Sequence, residues 1–267
     1  MRAESFFASH LVFSFNEAVV TMAPHKHRRA MVDRLKYHVK NGTLKQVVRG
    51  VYAVVPSGQD PEKFRPDPFL VGLAIRPDAV FSHHSALELL GVSHSLWNSV
   101  TLFSARRRAS LSADGTTFSV FQNPKQMNAT GEVTLGTQKA ERRGKLLVVT
   151  GPERTLVEGF RRPSLVGGFD ELVTSAAGFA VLEMKLLLEL LERYRTSRLW
   201  ASVGWFLERF QNEFQVKEEI LTRCERQKPA TPQYVERDSR GGMLLRRWNL
   251  IVPQVSSKAI EPHEPQP

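Results

Sequence analysis

Between residues 27 and 42, "HRRAMVDRLKYHVKNG", Met31, Leu35 and Val39 recur at intervals of four and share one helical face. Arg29, Asp33, Lys36 and Lys40 recur on another face. The spacing predicts an amphipathic helix. Asn41-Gly42 then reads as its stop, with Gly42 in the left-handed conformation that Cβ-bearing residues avoid. The apolar pattern next switches to β-branched runs, "TLKQVV" and "VYAVV", joined by Arg49-Gly50. This is the signal for a two-stranded ribbon turning at Gly50. Upstream, "SFNEAVVTMA" places Ser14 three residues before Glu17, a capping-box spacing, with Ala18 and Met22 facing one way and Pro24 ending the helix.

A short helix, a turn, a longer helix with a basic outer face and a ribbon follow the plan of a winged helix-turn-helix, expected over residues 8–56. Residues 57–66, rich in proline and charge, read as a linker. Beyond them "FLVGLAI" and "SHHSALELLG" predict helices. "SVTLFSA", "TTFSVFQ" and "KLLVVT" predict strands. "PERTLVEGFRR", "FDELVTSAAG", "MKLLLELLERY" and "LWASVGWFLERFQNEF" predict successive amphipathic helices, the last carrying Trp200, Trp205, Phe206 and Phe210 at core spacing. The expected fold class is α+β: the winged helix and a larger mixed α/β domain over 67–253. Residues 254–267 are expected to be a disordered tail.

Composition sharpens this plan. The chain has 267 residues, 42% of them hydrophobic, and a formal net charge of +10, which suits a polyanionic partner. In the first 58 residues nine Lys and Arg stand against three Asp and Glu, with most of the excess on the longer helix and the ribbon. The expected contacts with double-stranded DNA are therefore Arg28, Arg29, Asp33, Arg34, Lys36, Tyr37 and Lys40 on the helix, with Lys45 and Arg49 supporting from the wing. His38 is expected to flank the core face. A second cluster, Arg106, Arg107 and Arg108, is assigned to phosphates or an acidic partner, with a solvated loop as the alternative.

Other chemistry finds few residues to stand on. One cysteine, Cys224, excludes an internal disulfide and a cysteine-rich zinc site. His83, His84, Glu88 and His94 invite a metal reading, but Ser85 with Glu88 makes a capping box from the same letters. The chain lacks GxxxxGK[ST], GxGxxG and GxSxG. It has no signal-peptide pattern and no stretch suited to spanning a bilayer, so a cytoplasmic protein is expected. No enzyme activity, metal or cofactor is expected. Two rivals stay open: a nuclease or hydrolase using His83, His84 and Glu88, and a winged helix that docks protein.

"LKQVVRGVYAVVP" resembles the wing of the AbiEi-type antitoxins, bacterial regulators from abortive-infection systems. The likeness continues through "FSHHSALELLG" and "VTGPERTLVEGFRRPSLVGGFDEL" to "GGMLLRRWNLIVP", spanning about residues 12–253. The resemblance implies a two-domain autorepressor of a type IV toxin–antitoxin system, reading operator DNA at repeated sites. It also implies functional pairing with a nucleotidyltransferase toxin, without a stable complex. Two features depart from the family pattern: Glu158 stands where aspartate is expected after "RTLV", and the helix is more basic than the family demands.

Overall fold

A computed structural model of the chain describes residues 3–22, 28–129, 131–236 and 242–253. The expected helix end at Pro24, the charges of Arg2 and Lys26, and the tail at 254–267 lie outside the described residues. The elements run α1 (Ala3–Ser9), β1 (Val12–Ser14), α2 (Phe15–Met22), α3 (Arg28–Lys40), β2 (Leu44–Val48), β3 (Val51–Val54), α4 (Pro68–Ile75), β4 (Val80–Phe81) and α5 (His84–Leu89). They continue with β5 (Ser99–Ser104), β6 (Leu111–Ala113), β7 (Thr116–Gln122), α6 (Lys125–Ala129), β8 (Thr137–Arg142), β9 (Lys145–Thr150), α7 (Pro152–Arg161) and α8 (Phe169–Ala177). The last are α9 (Met184–Tyr194), α10 (Ser197–Arg209), α11 (Glu218–Arg226), β10 (Gln233–Tyr234), β11 (Met243–Leu245) and β12 (Leu250–Val252). The architecture is mixed α+β.

Two compact units divide the chain: residues 1–79, 98–121 and 141–147, and residues 80–97, 122–140 and 148–267. The first unit therefore reaches well past the 8–56 segment expected from the pattern. Its N-terminal part is built on a three-stranded sheet in the order β1-β3-β2, antiparallel throughout. One face of that sheet is covered by α1, α2 and α3 through Phe6, Phe7, Phe13, Ala18, Met22, Met31, Leu35 and Leu44.

Local sequence chemistry sets each boundary here. The Glu17 N–H donates to Ser14 Oγ at 3.1 Å and the Ser14 N–H to Glu17 Oε2 at 3.4 Å, the reciprocal bonds of a capping box. Helix α3 ends in a Schellman arrangement: the Gly42 N–H donates to the Val39 carbonyl and the Thr43 N–H to the His38 carbonyl, with Gly42 at φ +73°. The ribbon turns at Arg49-Gly50, where Gly50 has φ +81°.

Residues 57–66 do not run as a free linker. The Phe64 N–H donates to the Asp60 carbonyl at 2.9 Å, and Lys45 of β2 donates to the Phe64 carbonyl at 2.8 Å. The prolines and charges that suggest a spacer here make turns that fold back onto the ribbon. Asp67 then caps α4, its Oδ1 accepting from the N–H groups of Phe69 at 2.9 Å and Leu70 at 3.3 Å. Strands β5, β6 and β7 also belong to this unit, with β6 and β7 closing at Asp114-Gly115, both at positive φ.

The second unit is mainly helical. Leu156, Val157 and Phe160 of α7 meet Leu172 and Val173 of α8, Leu187, Leu190 and Leu191 of α9, and Trp200, Val203, Phe206 and Leu207 of α10. Trp205 and Phe210 are partly buried against this cluster. Near the C-terminal end, "MLLRRWNLIVP" supplies two strands, β11 and β12, to a sheet ordered β10-β12-β11. Short β4 pairs in parallel with β9, Val80 opposite Val148.

Candidate nucleic-acid interface

Residues on a helix turn by about 100° each, so the direction opposite Met31 and Leu35 on α3 is shared by Arg29, Asp33, Lys36, Tyr37 and Lys40. Met31 and Leu35 are buried and these five are exposed, Tyr37 by 62%. Three cations thus stand against one carboxylate on a ridge with a phenol beside it. Arg34 is exposed on the flank next to His38. Burial first, and then the Arg34 charge, holds the His38 imidazole below its ordinary value. Its ring lies edge-on to Phe7 at 4.9 Å and to Tyr37 at 5.4 Å, which places it at the margin of the core.

Arg28 behaves differently from its neighbours. Its guanidinium donates to Asn16 Oδ1 at 3.1 Å and sits 4.9 Å from the Phe15 ring centroid. It braces the start of α3 against α2 while staying exposed. Arg49, at the tip of the ribbon, is exposed.

Lys45 is a correction to the sequence expectation. Its ammonium donates to Asp114 Oδ1 at 2.7 Å and to the Phe64 carbonyl, and its side chain is only 15% exposed. Alternation along β2 explains this: Leu44 enters the core under α3, so Lys45 must leave by the opposite face. Asp114 was missed as its partner because 69 residues separate the two. Arg106, Arg107 and Arg108 are exposed, on a loop whose base is held where Asp78 accepts from Ser104 Oγ and the Ala105 N–H.

The histidine region is packed. His83 is fully buried, with Nδ1 2.9 Å from Ser82 Oγ, and burial pushes its pKa down to about 4 despite the Glu158 charge. His84 is also buried. It stacks on Trp97 at 4.7 Å between ring centroids, with Nε2 3.3 Å from Ser95 Oγ and 3.9 Å from Glu171 Oε1. Ser85 does not stand at the N-cap, where the expected capping box would need it. Helix α5 begins at His84, its N-cap His83 sits at φ +55°, and Ser85 lies inside the first turn. Among the described residues no group of three or more His, Cys, Asp or Glu is placed to hold a metal ion, and no helix is long and apolar enough to cross a membrane.

Glu158 is also buried, between the Tyr194 hydroxyl, which donates to Oε1, and Arg161, whose guanidinium reaches Oε2 at 2.9 Å. The longer glutamate stem at this position carries the carboxylate to both partners inside the helical unit.

No protein-family model matches the chain, and no curated protein matches it. Among solved structures, the crystal structure of the RV2827C protein from Mycobacterium tuberculosis is similar, with a TM-score of 0.61 at 14% identity. The match covers 96% of this chain and 91% of that chain, and the likeness is one of fold.

Proposed function

We propose that residues 8–56, with α1 running into them, form a winged helix-turn-helix, and that the protein is a sequence-specific DNA-binding transcriptional regulator. The observation that carries this reading is the exposed ridge of Arg29, Lys36, Tyr37 and Lys40 on α3, beside a ribbon with Arg49 at its tip. The order helix, strand, helix, helix, ribbon and the sheet order β1-β3-β2 support it. A helix about 10–12 Å across fits a major groove of about 12 Å. Arg29 and Arg34 would read guanine edges, and Lys36 and Lys40 would meet phosphates. The Tyr37 hydroxyl would donate to a phosphate, and Arg49 would reach a neighbouring phosphate or minor groove. Lys45 is left out of this set, because its charge is spent on Asp114.

The resemblance of "LKQVVRGVYAVVP" and the segments after it to AbiEi-type antitoxins extends the proposal to an autorepressing antitoxin that acts with a nucleotidyltransferase toxin. Gel retardation with DNA from upstream of the protein's own reading frame tests the regulator. The expected result is retardation at low salt that survives competitor DNA; no retardation at low salt overturns it. Co-expression with the adjacent reading frame tests the antitoxin role, with rescue of growth expected.

A further inference from the structure

Helix α4, "PFLVGLAI", carries no polar side chain, and an all-apolar helix belongs in a core. Phe69, Leu70, Val71 and Ile75 are buried, but Leu73 and Ala74 are only half-buried. They line a hollow of ≈ 470 Å³ in the first unit, together with Val12 and Val20. Val20 is 71% exposed, on the side of α2 away from Ala18 and Met22. The rest of the wall is Leu70 and Pro77, with Ser14, Asn16, Glu17, Thr21 and Lys145 as its polar groups. An apolar concavity of roughly 300–1,000 Å³ with a few converging polar groups has the character of a small-molecule site.

The polar groups choose the ligand. Glu17 is engaged on three sides, by the Ser14 N–H at 3.4 Å, by His10 Nε2 at 3.6 Å and by Lys145 Nζ at 3.8 Å. The Lys145 ammonium is thus close enough for an ion pair but too far for a hydrogen bond to that carboxylate, and its side chain is 30% exposed. A cation at the edge of an apolar hollow, whose ion-pair partner Glu17 is also engaged by Ser14 and His10, complements a ligand with one negative head and an apolar body.

We propose that this hollow binds a small aromatic or branched organic acid, its carboxylate on Lys145 and its body against Val20, Leu70, Leu73 and Ala74. The regulatory consequence rests on the DNA-binding reading above. Ser14 and Glu17 form the cap of α2, and α2 packs against α3, so a carboxylate drawing Lys145 from Glu17 disturbs the helix that braces the ridge. Ligand therefore lowers DNA affinity.

The test is calorimetric titration of 2-naphthoate into the full chain, with 2-naphthalenemethanol as the uncharged control. Naphthoate is expected to bind at one site. Lys145→Gln should weaken it about tenfold, the size of a lost charge-assisted contact, and leave the alcohol unchanged. Val20→Glu, at an exposed position that spares the fold, should abolish naphthoate binding by replacing an apolar wall residue with a second carboxylate beside Glu17. No binding to the wild-type chain, or equal binding to wild type and both variants, overturns the site. A wild-type dimer that Val20→Glu dissociates, without naphthoate binding, overturns it in favour of a second copy as the occupant. In gel retardation, naphthoate should weaken the wild-type complex and not that of Lys145→Gln. Unchanged retardation overturns the regulatory consequence. A chain that retards no DNA but binds naphthoate sinks the DNA reading and leaves the site standing.

Discussion

The Lys45 ammonium lies 2.7 Å from Oδ1 of Asp114, and both side chains are less than a fifth exposed, at 15% and 19%. The pair ties the ribbon to the turn between β6 and β7. Arg65 approaches the same carboxylate oxygen at 3.7 Å. Removing one partner leaves a partly buried charge without its strongest contact, at a cost of about 1–3 kcal/mol. Lys45→Met and Asp114→Asn are both expected to lower the thermal midpoint, asparagine being chosen because it tolerates the left-handed backbone at 114. Neither should change the salt dependence of DNA binding.

Gly204 of α10 lies under the Trp248 ring. A Cβ built there would come 2.2 Å from Trp248 Cζ3 and 2.9 Å from Cys224 Cβ. Both neighbours are buried, so neither has room to retreat. Gly204→Ala should destabilise the protein by about 1–3 kcal/mol through overpacking, although alanine is the better helix former. Urea unfolding measures it, and an unchanged or raised midpoint would contradict the packing described.

His83 makes stability depend on pH. Burial holds its pKa at about 4 against an ordinary 6.5, so the folded chain resists a proton that the unfolded chain accepts. Stability contributed by the neutral ring is complete above pH 6.5 and is lost as the pH falls towards 4, by up to about 3 kcal/mol. Denaturant titrations at pH 7 and pH 4.5 should show the loss in the wild type. His83→Asn should flatten that difference, and an equal pH dependence in both proteins would sink the assignment.

Cys224 is fully buried, and its surroundings push the thiol up to about 12. The nucleophile is the thiolate, so the native protein should not react with a disulfide reagent at neutral pH. Reaction is expected only with denaturant present; rapid labelling of the native chain would show that α11 opens readily.

Much of this organisation was legible along the chain because it is local. The Ser14–Glu17 cap and the stop at Gly42 each depend on residues within five positions of one another, and the Gly50 turn likewise. What was missed depends on distance in sequence. Phe6 and Phe7 show no helical period of their own, yet they complete the core under α3 by meeting Phe13. Residues 57–66 have the composition of a spacer, and contacts with residues far along the chain, from Lys45 to the Phe64 carbonyl and from Arg65 to Asp114, make them part of the unit. Of the nine residues expected at DNA, eight are exposed and one, Lys45, is not. Period-two alternation from buried Leu44 carried that signal, and the local count of positive charges hid it. At His83, a buried histidine at φ +55° serves as the N-cap and the helix starts one residue before Ser85, so the cap that the letters suggest is not the one used.

The most direct measurement is the slope of log affinity against log salt for operator DNA, compared between the wild-type chain, Lys36→Ala and Lys40→Ala. Each lysine that neutralises a phosphate should reduce the magnitude of the slope by about 0.9 and weaken binding to every sequence alike. Slopes and affinities equal to wild type in both variants would mean that the ridge on α3 does not touch DNA.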